Sequence, residues 1–223
     1  MTQKKSAGRP LTVRLKTARG RKISSQLWLT RQLNDPYVQK AKEAGYRSRA
    51  AFKLIEIDQK FKILKTSAHV VDLGSAPGGW IQVALERVGP KGHIIGIDLN
   101  AMDPITGAHL ICGDFCDPLI LENLKAILKG PVHVVLSDMA APSTGHTQTD
   151  HIRIMSLAEE AFIFAQEVLH SGGTFVVKVL RGGTEKELLV LLKKHFEKVI
   201  HFKPSASRAD SAEMYVVAIG FRP

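Results

Sequence analysis

From His69 to the end, the chain repeats one texture. A short run of β-branched and apolar residues is followed by a stretch with helical spacing, then by another such run. The runs are HVVDL (69–73), HIIGID (93–98), AHLIC (108–112), VHVVLS (132–137), TFVVKV (174–179), KVIHF (198–202) and EMYVVAIGF (213–221). Helical spacing occupies 79–88, 119–128, 150–169 and 184–196. A strand that reads as a continuous apolar run is buried on both faces, which is the condition of a parallel sheet covered by helices. The alternation therefore predicts an α/β chain with a mostly parallel, Rossmann-like sheet and right-handed crossovers.

Upstream of this body the charge balance changes. Residues 1–65 carry 17 Lys and Arg against 4 Asp and Glu, a net +13, while residues 66–223 carry 14 and 17, a net −3. Lys4, Lys5, Arg9, Arg14, Lys16, Arg19, Arg21, Lys22 and Arg31 precede the first acidic residue, Asp35. A basic arm on a slightly acidic body points to a polyanionic partner such as nucleic acid. A solubilising tail and an organellar transit peptide remain alternatives. Residues 1–34 are expected to be a flexible basic arm, and 35–223 a single domain with basic N-terminal helices (35–65) before the core (66–223). Asp35-Pro36 reads as an N-cap with Pro at the first helical position, leading to a helix that ends near Gly45. A second helix is expected from Ser48 to about Phe61.

Ionisable residues then gather at the strand ends. Asp72 lies near the end of the first strand, Asp98 ends the second, Asp114 follows the third, Asp138 follows the fourth, and Lys178 lies near the end of the fifth. Ligands of open α/β sheets bind outside the carboxyl ends of the strands. Any one of these residues is adequately explained as a turn or cap residue. Five together point to one cleft.

The loop Asp72-Leu73-Gly74-Ser75-Ala76-Pro77-Gly78-Gly79-Trp80 leads into a helix. It is glycine-rich, but it is neither G-x-G-x-x-G nor a P-loop, which argues against a nicotinamide dehydrogenase and against ATP chemistry. Asp98, nineteen residues after Gly79, stands where an acid accepts ribose hydroxyls. The pattern points to an adenosine-like cofactor without a pyrophosphate.

D-L-G-S-A-P-G-G-W, S-D-M-A, F-V-V-K-V and S-R-A-D-S-A-E-M-Y occur here in that order. Together they resemble the FtsJ-type (RrmJ) ribosomal RNA large-subunit 2′-O-ribose methyltransferases, over roughly residues 35–223. The resemblance implies an S-adenosylmethionine-dependent methyltransferase fold, with a seven-stranded, mostly parallel sheet whose last strand is inserted antiparallel. It implies a uridine of large-subunit ribosomal RNA as substrate. It also implies a catalytic tetrad at Lys53, Asp138, Lys178 and Glu213. Gly74, Gly78, Trp80, Asp98, Asp114 and Asp138 are expected around the cofactor, with Asp98 on its ribose and Asp114 near its adenine. Two departures stand out. Ser75 replaces the usual Ala, and Ala141-Pro142-Ser143-Thr144-Gly145-His146 replaces the usual P-N-x-S-G, in a loop expected to border the substrate.

The chemistry asks for these residue types. A ribose hydroxyl must lose its proton during attack on the methyl group. The Lys178 amine accepts that proton only in its neutral form, which burial, Lys53 and the sulfonium favour and Asp138 opposes. Asp138 is expected to orient Lys178 and touch the cofactor, with Lys53 and Glu213 positioning the ribose. Trp80 reads as a packing residue at a helix start.

No metal is expected, since Cys112, Cys116 and His109 lack a fourth ligand at zinc spacing. Two cysteines imply a reducing compartment, and the absence of an apolar leader or a long apolar run argues against secretion and membrane spans. A monomeric cytoplasmic enzyme acting on ribosomal RNA is the expectation. A non-catalytic ribosome-assembly factor on the same fold is the rival that an intact tetrad disfavours.

Overall fold

The computed structural model describes residues 13, 20, 22–142, 144–181 and 185–223. The apolar runs form a seven-stranded sheet from β1 (His69–Leu73), β2 (His93–Asp98), β3 (Ala108–Cys112), β4 (Val132–Ser137), β5 (Leu169–Leu180), β6 (Phe196–Phe202) and β7 (Glu213–Phe221). Their order is β3-β2-β1-β4-β5-β7-β6. The first five strands pair in parallel, and β7 lies antiparallel between β5 and β6. The last strand is thus inserted antiparallel, as the resemblance implied. Between β1 and β4 the direction of winding reverses, which opens a crevice at the carboxyl ends of these two strands.

The helices are α1 (Ile23–Leu33), α2 (Pro36–Glu43), α3 (Ala51–Phe61), α4 (Gly79–Val88), α5 (Pro118–Ala126), α6 (Thr147–Val168) and α7 (Glu185–His195). Successive strand residues feed opposite cores, which is why the runs are continuous. Val71, Val135, Phe175 and Val177 pack with Leu124, Ala161, Phe162, Ala165, Leu188 and Leu192 of α5, α6 and α7. Val70, Val134, Val176 and Val217 pack with Leu54 and Ile57 of α3 and with Trp80, Ile81 and Ala84 of α4. Each buried Val, Leu, Ile or Phe among them contributes about 1.5–3 kcal/mol by leaving water. Among the described residues, no helix is long and apolar enough to cross a membrane.

Several elements differ from expectation; α3, for one, begins at Ala51 rather than Ser48. Within the stretch read as a flexible arm, Ile23–Leu33 forms α1. That segment holds no Gly or Pro, and Asn34, which follows it, is tied back by its side chain to Thr30 O (2.8 Å) and to both backbone groups of Val13 (2.7 and 3.0 Å). Most of the remaining arm, residues 1–12, 14–19 and 21, lies outside the described residues. β5 begins at Leu169 rather than Thr174, because the pair Gly172-Gly173, which reads as a turn, is carried inside the strand. β6 begins two residues early, at Phe196. The start of α2 is as expected: Asp35 accepts the Tyr37 N–H at 3.0 Å and Pro36 opens the helix, while Gly45 past its end adopts φ +76°.

Candidate active site

Four elements deliver charged side chains to one place at the carboxyl end of the sheet. Lys53 comes from the first turn of α3, Asp138 follows β4, Lys178 lies near the end of β5, and Glu213 opens β7. Lys178 Nζ lies 3.1 Å from Asp138 Oδ1 and donates to Asp138 O at 2.7 Å. Lys53 Nζ lies 2.6 Å from Glu213 Oε1 and 3.7 Å from Asp138 Oδ2. The four residues expected to form the tetrad are therefore joined in one chain of contacts, from Lys178 through Asp138 and Lys53 to Glu213.

A fifth residue stands at their centre. The Tyr215 hydroxyl donates to Asp138 Oδ1 at 2.7 Å and accepts from Lys53 Nζ at 3.0 Å. It also lies 3.3 Å from Glu213 Oε1. Tyr215 was not singled out from the sequence, although a signal existed. On a strand, residues two apart share a face, so Tyr215 must follow Glu213, and it pairs directly with Lys178 across β5 and β7.

Electrostatics follow from this packing. Burial pushes the Asp138 carboxyl up, but Lys178, Lys53 and the Tyr215 hydroxyl outweigh it and hold the group below its ordinary value. Burial, reinforced by Asp138 and Glu213, raises the Tyr215 phenol well above the ordinary range, so it stays a neutral donor. Lys178 is only 7% exposed and is surrounded by the dry wall of β5. The site is a water-poor cluster in which two lysine amines share two carboxylates.

Beside it lies a cleft of about 190 Å³, lined by residues of the β1, β2, β3 and β4 ends that include Gly74, Asp98, Asp114, Met139 and Pro142. Gly74 has φ +78°, and a Cβ there would stand 2.8 Å from the Met139 backbone, so only glycine fits between the two loops. Asp98 Oδ2 accepts the Ala76 N–H at 2.9 Å, and Oδ1 accepts the Asn100 N–H at 2.8 Å. Oδ1 also accepts from Asn100 Nδ2 at 3.1 Å, so Oδ2 is the oxygen that keeps a lone pair for a ligand hydroxyl. Gly78 and Trp80, expected around the cofactor, do not line this cleft. The Trp80 indole is 3% exposed, donates to Ala50 O at 2.8 Å and packs against Tyr215. Tertiary packing has committed the ring, which leaves the N–H groups of the first α4 turn as what this segment offers a ligand. The departing loop does border the cleft through Pro142, and the Arg153 guanidinium donates to Pro142 O. Ser143 lies outside the described residues.

Loop 203–212 is fastened over α3. Glu56 accepts the N–H groups of Ser205 and Ala206. Arg49 joins Asp35 to Ala206 O, and Arg208 Nε lies 3.6 Å from Asp35. Ser207 Oγ donates to Glu213 Oε1 at 3.1 Å, so this fastening reaches the charged cluster. Among the described residues, no group of three or more His, Cys, Asp or Glu is placed to hold a metal.

Known proteins share this chain's sequence and fold. It is 61% identical over 224 residues to ribosomal RNA large subunit methyltransferase E of Parvibaculum lavamentivorans, covering 96% of this chain and 88% of the relative. It is 58% identical over 235 residues to the protein of the same name from Paramagnetospirillum magneticum, covering 98% and 96%. A crystal structure from Plasmodium falciparum, assigned as a ribosomal RNA methyltransferase, superposes with a TM-score of 0.70 at 36% identity, covering 79% of this chain and 98% of the other. The family model described as FtsJ-like methyltransferase matches residues 46–221, so the chain belongs to the FtsJ-like methyltransferase family.

Proposed function

We propose that this methyltransferase moves the methyl group of S-adenosylmethionine to the ribose 2′-oxygen of a uridine in large-subunit ribosomal RNA, in the cytoplasm. The observation that carries the reading is the Lys53–Asp138–Lys178–Glu213 cluster beside an acid-bearing cleft of nucleoside size. RNA is the partner this chemistry requires, because only RNA offers a 2′-hydroxyl. The net +13 of residues 1–65 suits a polyanion, and the relatives' names state a ribosomal RNA substrate.

The residues fit the cofactor. Asp98 accepts a ribose hydroxyl through Oδ2, Asp114 stands on the adenine side, and the N–H groups opening α4 at Gly79 and Trp80 receive the carboxylate. Bound there, the sulfonium supplies an electrophilic methyl group. Lys178 takes the proton of the attacking hydroxyl, and Asp138 fixes the direction of the Lys178 amine through two contacts. Lys53 and Glu213 hold the ribose in line for attack, which is where most of the acceleration arises.

The test is incubation with labelled S-adenosylmethionine and large ribosomal subunits, followed by mapping of the product. Label at one ribose 2′-oxygen, lost in Lys178→Ala, is expected. Label on a base, or undiminished label in the variant, refutes the assignment.

A further inference from the structure

Asp72 takes no part in the chemistry above, yet its position is unusual. It is 1% exposed, and neither carboxyl oxygen has a hydrogen-bond partner. It lies near the end of β1, level with Gly96 of β2 and Leu136 of β4, and its side chain shares the sheet face of Val70. Ala51, Leu54, Trp80 and Ile81, which α3 and α4 bury on that face, are apolar, and the one buried acid of α3, Asp58, is paired with Arg87. The charged groups that act on Asp72 are Asp98 at the end of β2 and Asp138 beyond β4, both of its own sign. The cations nearest Asp138, Lys53 and Lys178, are already paired with it. An acid so placed is held in its neutral form: burial raises its pKa well above the ordinary value, and the two aspartates add to this.

A positive charge can enter through the cleft at the carboxyl ends of these strands. Gly74, two residues further along, and Asp98 both line it. The methyl donor carries a sulfonium charge that its thioether product lacks, and the two ligands are otherwise identical in charge. We propose that Asp72 is a charge-selecting residue, which holds a proton while the cleft is empty, yields it to solvent when the cationic donor enters, and thereby makes the cleft favour donor over spent product. The proposal rests on the S-adenosylmethionine reading. No bond in the cofactor changes; one O–H bond of Asp72 breaks on binding and re-forms once the cleft holds product.

The experiment is calorimetric titration of the full chain with S-adenosylmethionine and, separately, S-adenosylhomocysteine. It is run between about pH 5.5 and 8 in buffers of different protonation enthalpy. Binding of the donor is expected to release up to about one proton more than binding of the product. Its affinity advantage should grow by up to about tenfold per pH unit while Asp72 is still protonated in the free protein. Asp72→Asn, which keeps the shape of the neutral acid, should bind both ligands with the extra release gone and the preference independent of pH. Equal proton release with both ligands in the unaltered protein overturns the proposal, and so does extra release that survives in Asp72→Asn. If Asp72→Asn fails to fold, the comparison of the two ligands on the unaltered protein decides alone. If neither ligand binds, the cofactor reading falls and takes the proposal with it; if both bind with equal release, only the proposal falls.

Discussion

Removal of a single hydroxyl at the centre of the charged cluster tests whether Tyr215 holds it together. Tyr215→Phe keeps the ring, and with it the packing against Trp80 at 5.7 Å and beneath Lys53 at 5.6 Å. What is lost is the donation to Asp138 at 2.7 Å, the contact with Glu213 at 3.3 Å and an acceptor for Lys53 at 3.0 Å. A hydrogen bond to a charged group contributes about 1.5–3 kcal/mol. Neither carboxylate is orphaned, since Asp138 keeps Lys178 and Glu213 keeps Lys53 and Ser207. The loss thus amounts to roughly one such bond, about 2 kcal/mol at neutral pH. For a domain of this size that corresponds to a fall in Tm of about 4–8 °C, read by calorimetry or circular dichroism. With the bridge gone, Asp138 and Glu213 repel each other, and the Lys178 amine is less firmly aimed. Single-turnover methyl transfer should fall by up to about a hundredfold, the cost of misplacing a reacting group by about an ångström. A Tm within about 1 °C of the unaltered protein, together with unchanged turnover, would falsify the view that this hydroxyl ties the two carboxylates together.

Further expectations concern the amine, the cleft and the far end of the sheet. Lys178→Arg should lose most of kcat while cofactor binding stays intact, because guanidinium remains protonated and cannot accept the hydroxyl proton; near-normal turnover would mean that Lys178 serves as a fixed cation. Asp98→Ala should weaken S-adenosylmethionine binding by at least about tenfold, the equivalent of one charged hydrogen bond; unchanged calorimetric affinity would sink the ribose assignment. His69 and His133 lie at the opposite end of the sheet, with ring centroids 5.2 Å apart and the His69 N–H donating to His133 Nδ1 at 3.0 Å. Burial first, then the neighbouring histidines His93 and His170, depress both below the ordinary 6.5. The unfolded chain therefore takes up these protons first, so stability should be level above about pH 7 and decline as the pH falls below about 6.5. His133→Asn should flatten that decline in a series of Tm values from pH 7.5 to 5, and an equally steep decline would exclude the pair as its cause.

The strand pattern could be read from the chain because burial on both faces leaves a local mark, a continuous apolar run, that no partner is needed to interpret. The acids and lysine at the strand ends were legible for the same reason: the end of a strand is a position in the sequence. α1 was not, because its apolar residues Ile23, Leu27, Trp28, Leu29 and Leu33 sit in an arm whose Lys and Arg run dominates the reading, and its far end is tied down by Asn34 reaching back to Val13. Sequence order could place Lys53, Asp138, Lys178 and Glu213 on separate elements, but not in contact. Their meeting, and the arrival of Tyr215 between them, depends on β7 inserting between β5 and β6. That insertion closes a contact across 162 residues from Lys53 to Tyr215. Trp80 shows the same limit, since its indole is spent on Ala50 O, thirty residues away, rather than on a ligand. Asp72 shows it most sharply. As letters it is one more acid at a strand end, like Asp98. The fold surrounds one with apolar side chains and gives it no donor, while it gives the other two backbone N–H groups and an open cleft. Local patterns fix which residues can lie on which element, because they depend on neighbours a few positions away. Which of those residues are dried, paired or left bare is set by long-range packing, where desolvation and Coulomb forces act between parts of the chain that share no sequence signal.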